Sequence, residues 1–326
     1  MRLMSRSASA IAHPNIAFIK YWGNRDNVLR LPANGSISMN LGTLATNTRV
    51  TFRDELRSDV LTIDGKEISG PALNRVSDFM DQVRKLAPDA GYAEIVSENN
   101  FPMGAGIASS AAAFAALAAA ASAAAGLNLK ENECSRLARL GSGSACRSIP
   151  EGFCEWAYGS GDEDSYAVSI APASHWDLAD LIAVVSGEHK KVGSSAGHTS
   201  ALTSPFQAER VRTAPERIKI CRDSILNRDF SALAAVSEQD MVMMHSVMMT
   251  QDPPLFYWEG TSVRIIKAVR EWREAGLPCF ATLDAGSNVH VICQAGGMDD
   301  VRAELEKISG IREIIVSGPG GKAHLV

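Results

Sequence analysis

FPMGAGIASSAAAFAALAAAASAAAG, residues Phe101–Gly126, decides how this sequence folds. A glycine-bearing turn runs into two serines, and twelve of the fifteen residues from Ala111 to Ala125 are alanine. The segment is long enough to suggest a membrane span. Alanine is only weakly apolar, however, and the run holds one Phe and one Leu and lacks charged or aromatic interfacial flanks. Alanine combines the highest helix propensity with a very small side chain, so the stretch predicts a buried helix where sheet and helices approach closely. At its start, free N–H groups and the positive end of the helix dipole meet the hydroxyls of Ser109 and Ser110, which suits an anion. It is neither a Walker A loop nor a Rossmann fingerprint, and a plain capped helix would use the same residues.

The 326 residues suffice for two domains, expected as 1–187 and 188–326. A net charge of −5 without a long basic run argues against nucleic-acid binding. Six cysteines, Cys134, Cys146, Cys154, Cys221, Cys279 and Cys293, form no CxxC pair and have no zinc spacing. They read as buried reduced thiols. With no signal-like apolar run at the N-terminus and no membrane segment, the expected location is the cytoplasm. The run MVMMHSVMM (241–249) reads as a methionine-filled core helix that includes His245.

Strands are expected at 47–52, 92–97, 165–171 and 181–186, with a hairpin over 60–68 turning at Asp64-Gly65. Apolar residues from Leu73 to Leu86 recur at helical spacing between Pro71 and Pro88. Beyond residue 187, helices are expected at 205–228, 230–250, 261–275 and 298–309, with strands at 279–284, 289–293 and 313–317. The fold class is therefore α+β. A mixed first domain carries the alanine helix behind a phosphate loop, and the second is an antiparallel sheet with helices on one face.

Four further stretches bear on function. GSGSACRS (141–148) surrounds Arg147 with hydroxyl and backbone donors, and KKVGSSAGH (190–198) is a hydroxyl-rich loop behind two lysines. FATLDAGSNVH (280–290) ends a strand on Asp284 and turns at once, while SGPGGK (317–322) is a second glycine-rich loop. Several anion-binding loops with one arginine and one aspartate point to phosphoryl transfer, in which positioning and electrostatics supply most of the catalysis.

AHPNIAFIKYWGNRD, SENNFPMGAGIASSAAAFAALA, ARLGSGSACRS, KKVGSSAG, PPLFYWEGTSVRIIKAVREW and FATLDAGSNVHV resemble, in order and over nearly the whole chain, the mevalonate diphosphate decarboxylase family of the GHMP kinase superfamily. The resemblance implies a two-domain GHMP kinase fold with the site in the cleft between domains, ATP, Mg²⁺ with unassigned ligands, a phosphorylated mevalonate and a homodimer. It implies catalytic roles for Asp284, Arg147, Lys20 and Ser194. Substrate contacts would come from Tyr21, Asn24, Ser142, Gly143, Ser144, Ser195 and His198. Nucleotide contacts would come from Ser97, Pro102, Gly104, Gly106, Ala108, Ser109, Ser110 and Lys191.

The chain departs from that pattern at two cations. Asn24 stands where the family commonly has lysine, and Ser195 where it commonly has arginine, with His198 in a methionine position. Losing two cations penalises a diphosphate more than a monophosphate, so mevalonate 5-phosphate is the expected substrate and isopentenyl phosphate the product; mevalonate 5-diphosphate is the alternative. Less favoured are a mevalonate 3-kinase that stops at phosphorylation and a non-catalytic binding or regulatory member of the superfamily.

Overall fold

A computed structural model describes residues 6–101, 109–185 and 194–326, with the side chains of 194–196 outside that description. A mixed six-stranded sheet runs, in spatial order, through His324–Leu325, Ser7–Ala12, Thr46–Phe52, Ala93–Asn99, Val60–Ile63 and Lys66–Ile68. Only Val60–Ile63 against Ala93–Asn99 is parallel. The hairpin between Val60–Ile63 and Lys66–Ile68 turns at Asp64 (φ 47°) and Gly65 (φ 74°), the paired positive-φ geometry that Asp-Gly adopts.

The alanine helix, Ser109–Ala124, lies on this sheet against Ser7–Ala12 and Thr46–Phe52. Its alanines are buried on nearly every side and meet Ala10, Ala12, Val50 and Phe79 in one cluster. Methyl-sized side chains allow that approach; a longer one would push sheet and helix apart. No helix among the described residues is long and apolar enough to cross a membrane. All six cysteines are free, and all but Cys134 are buried.

A second sheet, antiparallel, orders Ala167–Ala171, Phe153–Trp156, Ser36–Asn40 and Asn15–Ile19. The third, also antiparallel, orders Cys279–Thr282, Val289–Gln294, Leu178–Val184 and Glu313–Ser317. Leu178–Val184 precedes residue 187 in the chain yet belongs to this third sheet; residue 187 itself lies outside the described residues. The helices Gln207–Asn227 and Phe230–Thr250 pack on each other, and the second touches both Asn15–Ile19 and Cys279–Thr282. It thereby ties the two halves together.

Two stretches read as loops are structured otherwise. Residues from Ser194 to Ser200 form a helix, and Gly143–Ser148 form a 3₁₀ helix. The glycine-rich 317–322 segment is a fastener: Gly320 N donates to Asn40 O, and Gly152 N donates to Gly320 O. A Cβ on Gly320 would fall 2.8 Å from Gly42 Cα, so glycine is required for the close backbone approach rather than for an anion.

Two stability predictions follow from this packing. A Cβ at Gly141 would fall 2.0 Å from Phe114 Cδ1, so Gly141→Ala costs about 1–3 kcal/mol by overpacking; urea unfolding checks it through a lower midpoint at unchanged slope. His245, buried among the methionines of Phe230–Thr250, is held neutral by burial, its pKa lowered to about 3. The unfolded chain therefore binds one more proton than the native state between pH 6.5 and about 3, so His245 withdraws stability as pH falls through that window. His245→Met, measured by denaturation across that range, makes the slope of stability against pH shallower by about 1.4 kcal/mol per unit.

Candidate active site

The KYWG run, which follows the strand Asn15–Ile19, aims four consecutive residues in different directions. Lys20 Nζ donates to Asp284 Oδ1 at 2.7 Å and to Ala17 O at 2.6 Å. Its backbone is held as firmly: Lys20 N donates to Asp240 Oδ2 at 2.6 Å, and Lys20 O accepts from Arg210 Nη2 at 2.7 Å and Asn34 Nδ2 at 3.0 Å. The Tyr21 ring packs edge-on against Trp156 and covers Gly143, where a Cβ would lie 2.5 Å from the ring. Trp22 Nε1 donates to Gln251 Oε1 at 3.0 Å. Gly23, at φ 91°, donates its N–H to His198 Nδ1 at 3.0 Å, which places the His198 proton on Nε2. His198 stacks on Tyr21 and Trp22, and burial holds it neutral, with a pKa near 3.

Asp284 comes from the other half, just past the end of Cys279–Thr282, and its side chain keeps 25% of its exposure. Burial opposes its charge, but the charge and hydrogen bond of Lys20, with His290 and Arg147 further off, outweigh that and hold its pKa below the usual 3.8. Burial likewise depresses Lys20, and Asp284 acts in the opposite direction. Asp284 is therefore ionised near neutrality.

Arg147, 2% exposed in the 3₁₀ helix Gly143–Ser148, makes every described hydrogen bond to a neutral group. It donates to Ser36 Oγ at 2.6 Å, Ser38 Oγ at 3.0 Å and Asn15 Oδ1 at 3.1 and 3.3 Å. Asn15 is in turn fixed by donating to Ser148 Oγ at 2.8 Å and Ser144 O at 3.2 Å. The fork is locked in direction, and the described residues put no carboxylate on it. Asp284 favours the charge of Arg147, and Arg147 in turn disfavours that of Lys20.

Ser110 Oγ lies 3.4 Å from Ser142 Oγ, which brings the start of the alanine helix to the 142–144 loop. The first turn of that helix holds no acidic residue. Ser97, by contrast, is buried and bonds the hydroxyl of Thr48 at 3.0 Å. Asn24 accepts from the Tyr21 hydroxyl and donates to Asn27 Oδ1 at 3.0 Å. Arg25 turns away to Tyr158 O and Gly159 O at 2.9 and 2.6 Å. Pro102, Gly104, Gly106, Ala108 and Lys191, and the side chains of Ser194 and Ser195, lie outside the described residues.

Sequence reasoning did not assign Asn15, Ser36, Ser38, Asn34, Asp240 or Arg210. Ser36 and Ser38 carried a signal, two hydroxyls at a spacing of two on one strand, which puts both on one face. Asp240 carried none, since nothing in a methionine-rich helix marks the turn that will face Lys20.

Against known proteins, residues 12–167 match the diphosphomevalonate decarboxylase-like N-terminal domain, and residues 180–317 match the mevalonate 5-diphosphate decarboxylase C-terminal domain. The diphosphomevalonate decarboxylase of Candida albicans is 38% identical over 98% of this chain and 91% of its own; that of Saccharomyces cerevisiae is 36% identical over 93% and 82%. Mevalonate diphosphate decarboxylase from Staphylococcus aureus superposes with a TM-score of 0.93 at 39% identity, covering 98% of both chains. A structure described as MDDEF in complex with MVAPP, AMPPCP and magnesium also gives 0.93, at 36% identity and the same coverage. With family models matching both halves of the chain and the two-domain α+β GHMP fold in common with these proteins, the chain belongs to the diphosphomevalonate decarboxylase family.

Proposed function

We propose that the chain is an ATP-dependent decarboxylase acting on mevalonate 5-diphosphate to give isopentenyl diphosphate. One observation carries the reading: Lys20 Nζ meets the Asp284 carboxylate at 2.7 Å, while the buried Arg147 guanidinium has only neutral side chains among its described hydrogen-bond partners. The set balances when a small acid brings a carboxylate to Arg147. The planar fork, braced by Asn15, Ser36 and Ser38, would hold that carboxylate in one orientation.

Asp284 would then face the tertiary 3-hydroxyl and take or orient its proton, kept anionic for that purpose by Lys20. ATP, when bound, supplies the phosphoryl group, and Mg²⁺ offsets its charge. The residues fit such a ligand at the start of the alanine helix, where Ser109 and Ser110 stand at the positive end of the helix dipole and the first turn holds no acidic residue. Among the described residues no group of three His, Cys, Asp or Glu side chains converges on a metal position, so phosphate oxygens would supply most of its ligands. Once the 3-oxygen carries phosphate, the C3–O bond breaks and phosphate departs with that electron pair. The electrons of the C1–C2 bond close the new double bond between C2 and C3, and CO₂ leaves. Asp284 tolerates the positive charge that develops at C3, and Arg147 keeps the carboxylate aligned for the elimination. Ser194 is proposed to face the transferred phosphoryl group.

The diphosphate is preferred because the curated relatives compared above are named diphosphomevalonate decarboxylases and one solved neighbour is described with MVAPP. The expectation of a monophosphate, which rested on Asn24 and Ser195, survives as a second reading. In its favour, Asn24 is neutral and Arg25 is committed elsewhere.

Purified enzyme with ATP should release one CO₂ per substrate consumed and show a kcat/KM for the diphosphate at least about tenfold above that for the monophosphate, the contribution of one extra charge-assisted contact. The reverse order would establish the monophosphate reading, and phosphorylation without CO₂ would establish a 3-kinase. Asp284→Asn should lower kcat about 10²–10⁴-fold while nucleotide still binds. Arg147→Lys should act on the acid rather than the nucleotide, raising KM for the mevalonate substrate with KM for ATP unchanged, because an ammonium cannot reproduce the fork.

A further inference from the structure

Beneath Asp284, the third sheet carries buried polar groups that the chemistry above does not use. Thr282, two residues before Asp284, lies directly opposite His290 in the pairing of Cys279–Thr282 with Val289–Gln294. His290 Nδ1 bonds Asp180 Oδ2 at 2.6 Å on the next strand, Leu178–Val184. Side chains alternate across a sheet, and the core clusters show which way each one faces. Ala281, Leu283 and Val291 join one cluster, whereas Phe280, Ile292 and Ile182 join the other, with Phe18 of the strand that leads to Lys20. Thr282, Asp284, His290 and Asp180 therefore share the face that meets Lys20.

Thr282, His290 and Asp180 are at most 1% exposed. Each leaves one polar atom without a partner among the described residues: Thr282 Oγ1, His290 Nε2 and Asp180 Oδ1. Burying such atoms unpaired opposes folding, and valine at 282 would keep the shape without that cost. Three of them on one patch of sheet, under a reactive carboxylate, point to a use beyond packing.

The Asp180 contact sets the character of His290. An imidazole that gives Nδ1–H to a carboxylate keeps its lone pair on Nε2, and the two nitrogens point in nearly opposite directions. Nε2 is thus turned away from Leu178–Val184. The carboxylate also stabilises the imidazolium that proton uptake forms. His245 is the contrast: it too feels the charge of Asp284, but neither of its nitrogens has a partner among the described residues, and burial lowers its pKa to about 3.

The function proposed above gives Asp284 two tasks that conflict. It takes the proton of the 3-hydroxyl, yet it must be anionic again when positive charge develops at C3. We propose that His290, braced by Asp180, stores this proton between the two steps, and that the Thr282 hydroxyl passes it from Asp284 to His290. As the 3-oxygen bonds to the phosphoryl group of ATP, its O–H bond breaks and the proton goes to Asp284. The Thr282 oxygen accepts that proton while its own goes to His290 Nε2, which leaves Asp284 a carboxylate and His290 an imidazolium. When the C3–O bond breaks, the departing phosphate carries one more negative charge than the ester did, and the stored proton returns to it along the same path. No proton is gained or lost over the cycle. Thr282, His290 and Asp180 act through Asp284 and are positioning residues for its proton.

Other charged or titratable groups on the elements packed against this face are Lys20, beyond Asn15–Ile19, and Glu238, Asp240 and His245 on Phe230–Thr250. Arg147 acts on Asp284 from its 3₁₀ helix. The helices Gly260–Glu274 and Met298–Glu306 pack on the opposite face through apolar residues such as Ile265 and Val301.

The inference rests on the decarboxylase reading. Its test is a rapid-quench single turnover with ATP and whichever mevalonate phosphate reacts faster, following ADP and CO₂ separately in wild type, Thr282→Val, His290→Gln and Asp180→Asn. Thr282→Val removes the relay together with an unpaired buried hydroxyl, so it should melt no lower than wild type. In all three variants ADP formation should change less than about threefold, while CO₂ release slows about 10²-fold, the contribution of one positioned proton transfer, and the 3-phosphorylated acid accumulates. In wild type, lowering the pH from about 8 to about 6 should separate ADP from CO₂ in the same way, because an imidazole already protonated cannot accept. A purely structural role would slow both products together. ADP and CO₂ that stay in step in Thr282→Val, and in wild type across that pH range, would overturn the inference and leave the decarboxylase reading intact. A wild-type enzyme that released no CO₂ would overturn that reading, and this inference with it.

Discussion

The ion pair between Lys20 and Asp284 joins the two halves of this molecule, and most of the site is arranged around it. Lys20 follows a strand of the second sheet and Asp284 follows one of the third, so their 2.7 Å contact exists only when both halves are correctly docked. Burying a lysine and an aspartate is expensive, and the surroundings meet that cost through the backbone. Asp240 and Arg210 hold the amide and carbonyl of Lys20 itself, while Arg217 steadies Asp240 at 2.8 Å. Because Asp240 lies on the helix that touches both sheets, the same element that packs the halves also positions the lysine.

That arrangement makes a cleft whose protein charges are deliberately out of balance. Arg147 is locked by neutral partners and Lys20 is shared with one carboxylate, the imbalance on which the proposed recognition of an acid rests. Neutral histidines suit this logic. His198, stacked between Tyr21 and Trp22, fixes the turn at Gly23 without adding a charge that would follow pH. The alanine helix serves the same end sterically, since its slim body lets the helix start reach the 142–144 loop through Ser110 and Ser142.

The short turn after KYWG sends successive polar side chains to different parts of the fold. Asn24 spends its side chain on Tyr21 and Asn27, and Arg25 leaves for Tyr158. Arg30, in the left-handed region, reaches Leu140 O near the end of the helix that precedes the 142–144 loop. These destinations are invisible to a comparison made motif by motif and are set when the hairpin is folded.

By itself the sequence determined whatever is local or periodic. Alanine content and the absence of flanking charge marked Ser109–Ala124 as a buried helix, the Asp64-Gly65 pair made a hairpin, and ordered motifs singled out Lys20, Arg147 and Asp284 as candidates for one site. What it left open depends on contacts between residues far apart in the chain. Asp240 behind Lys20 and the glycine-rich 317–322 segment as a fastener against Asn40 and Gly152 lack a local signature, and the spacing of Ser36 and Ser38 puts them on one face without showing that they brace Arg147. The direction of each arginine was equally hidden, since one long flexible side chain can bond carbonyls, cap a helix or meet a ligand. Tertiary structure decided among these because each buried N–H must find an acceptor, and which acceptor is near is a property of the packed fold.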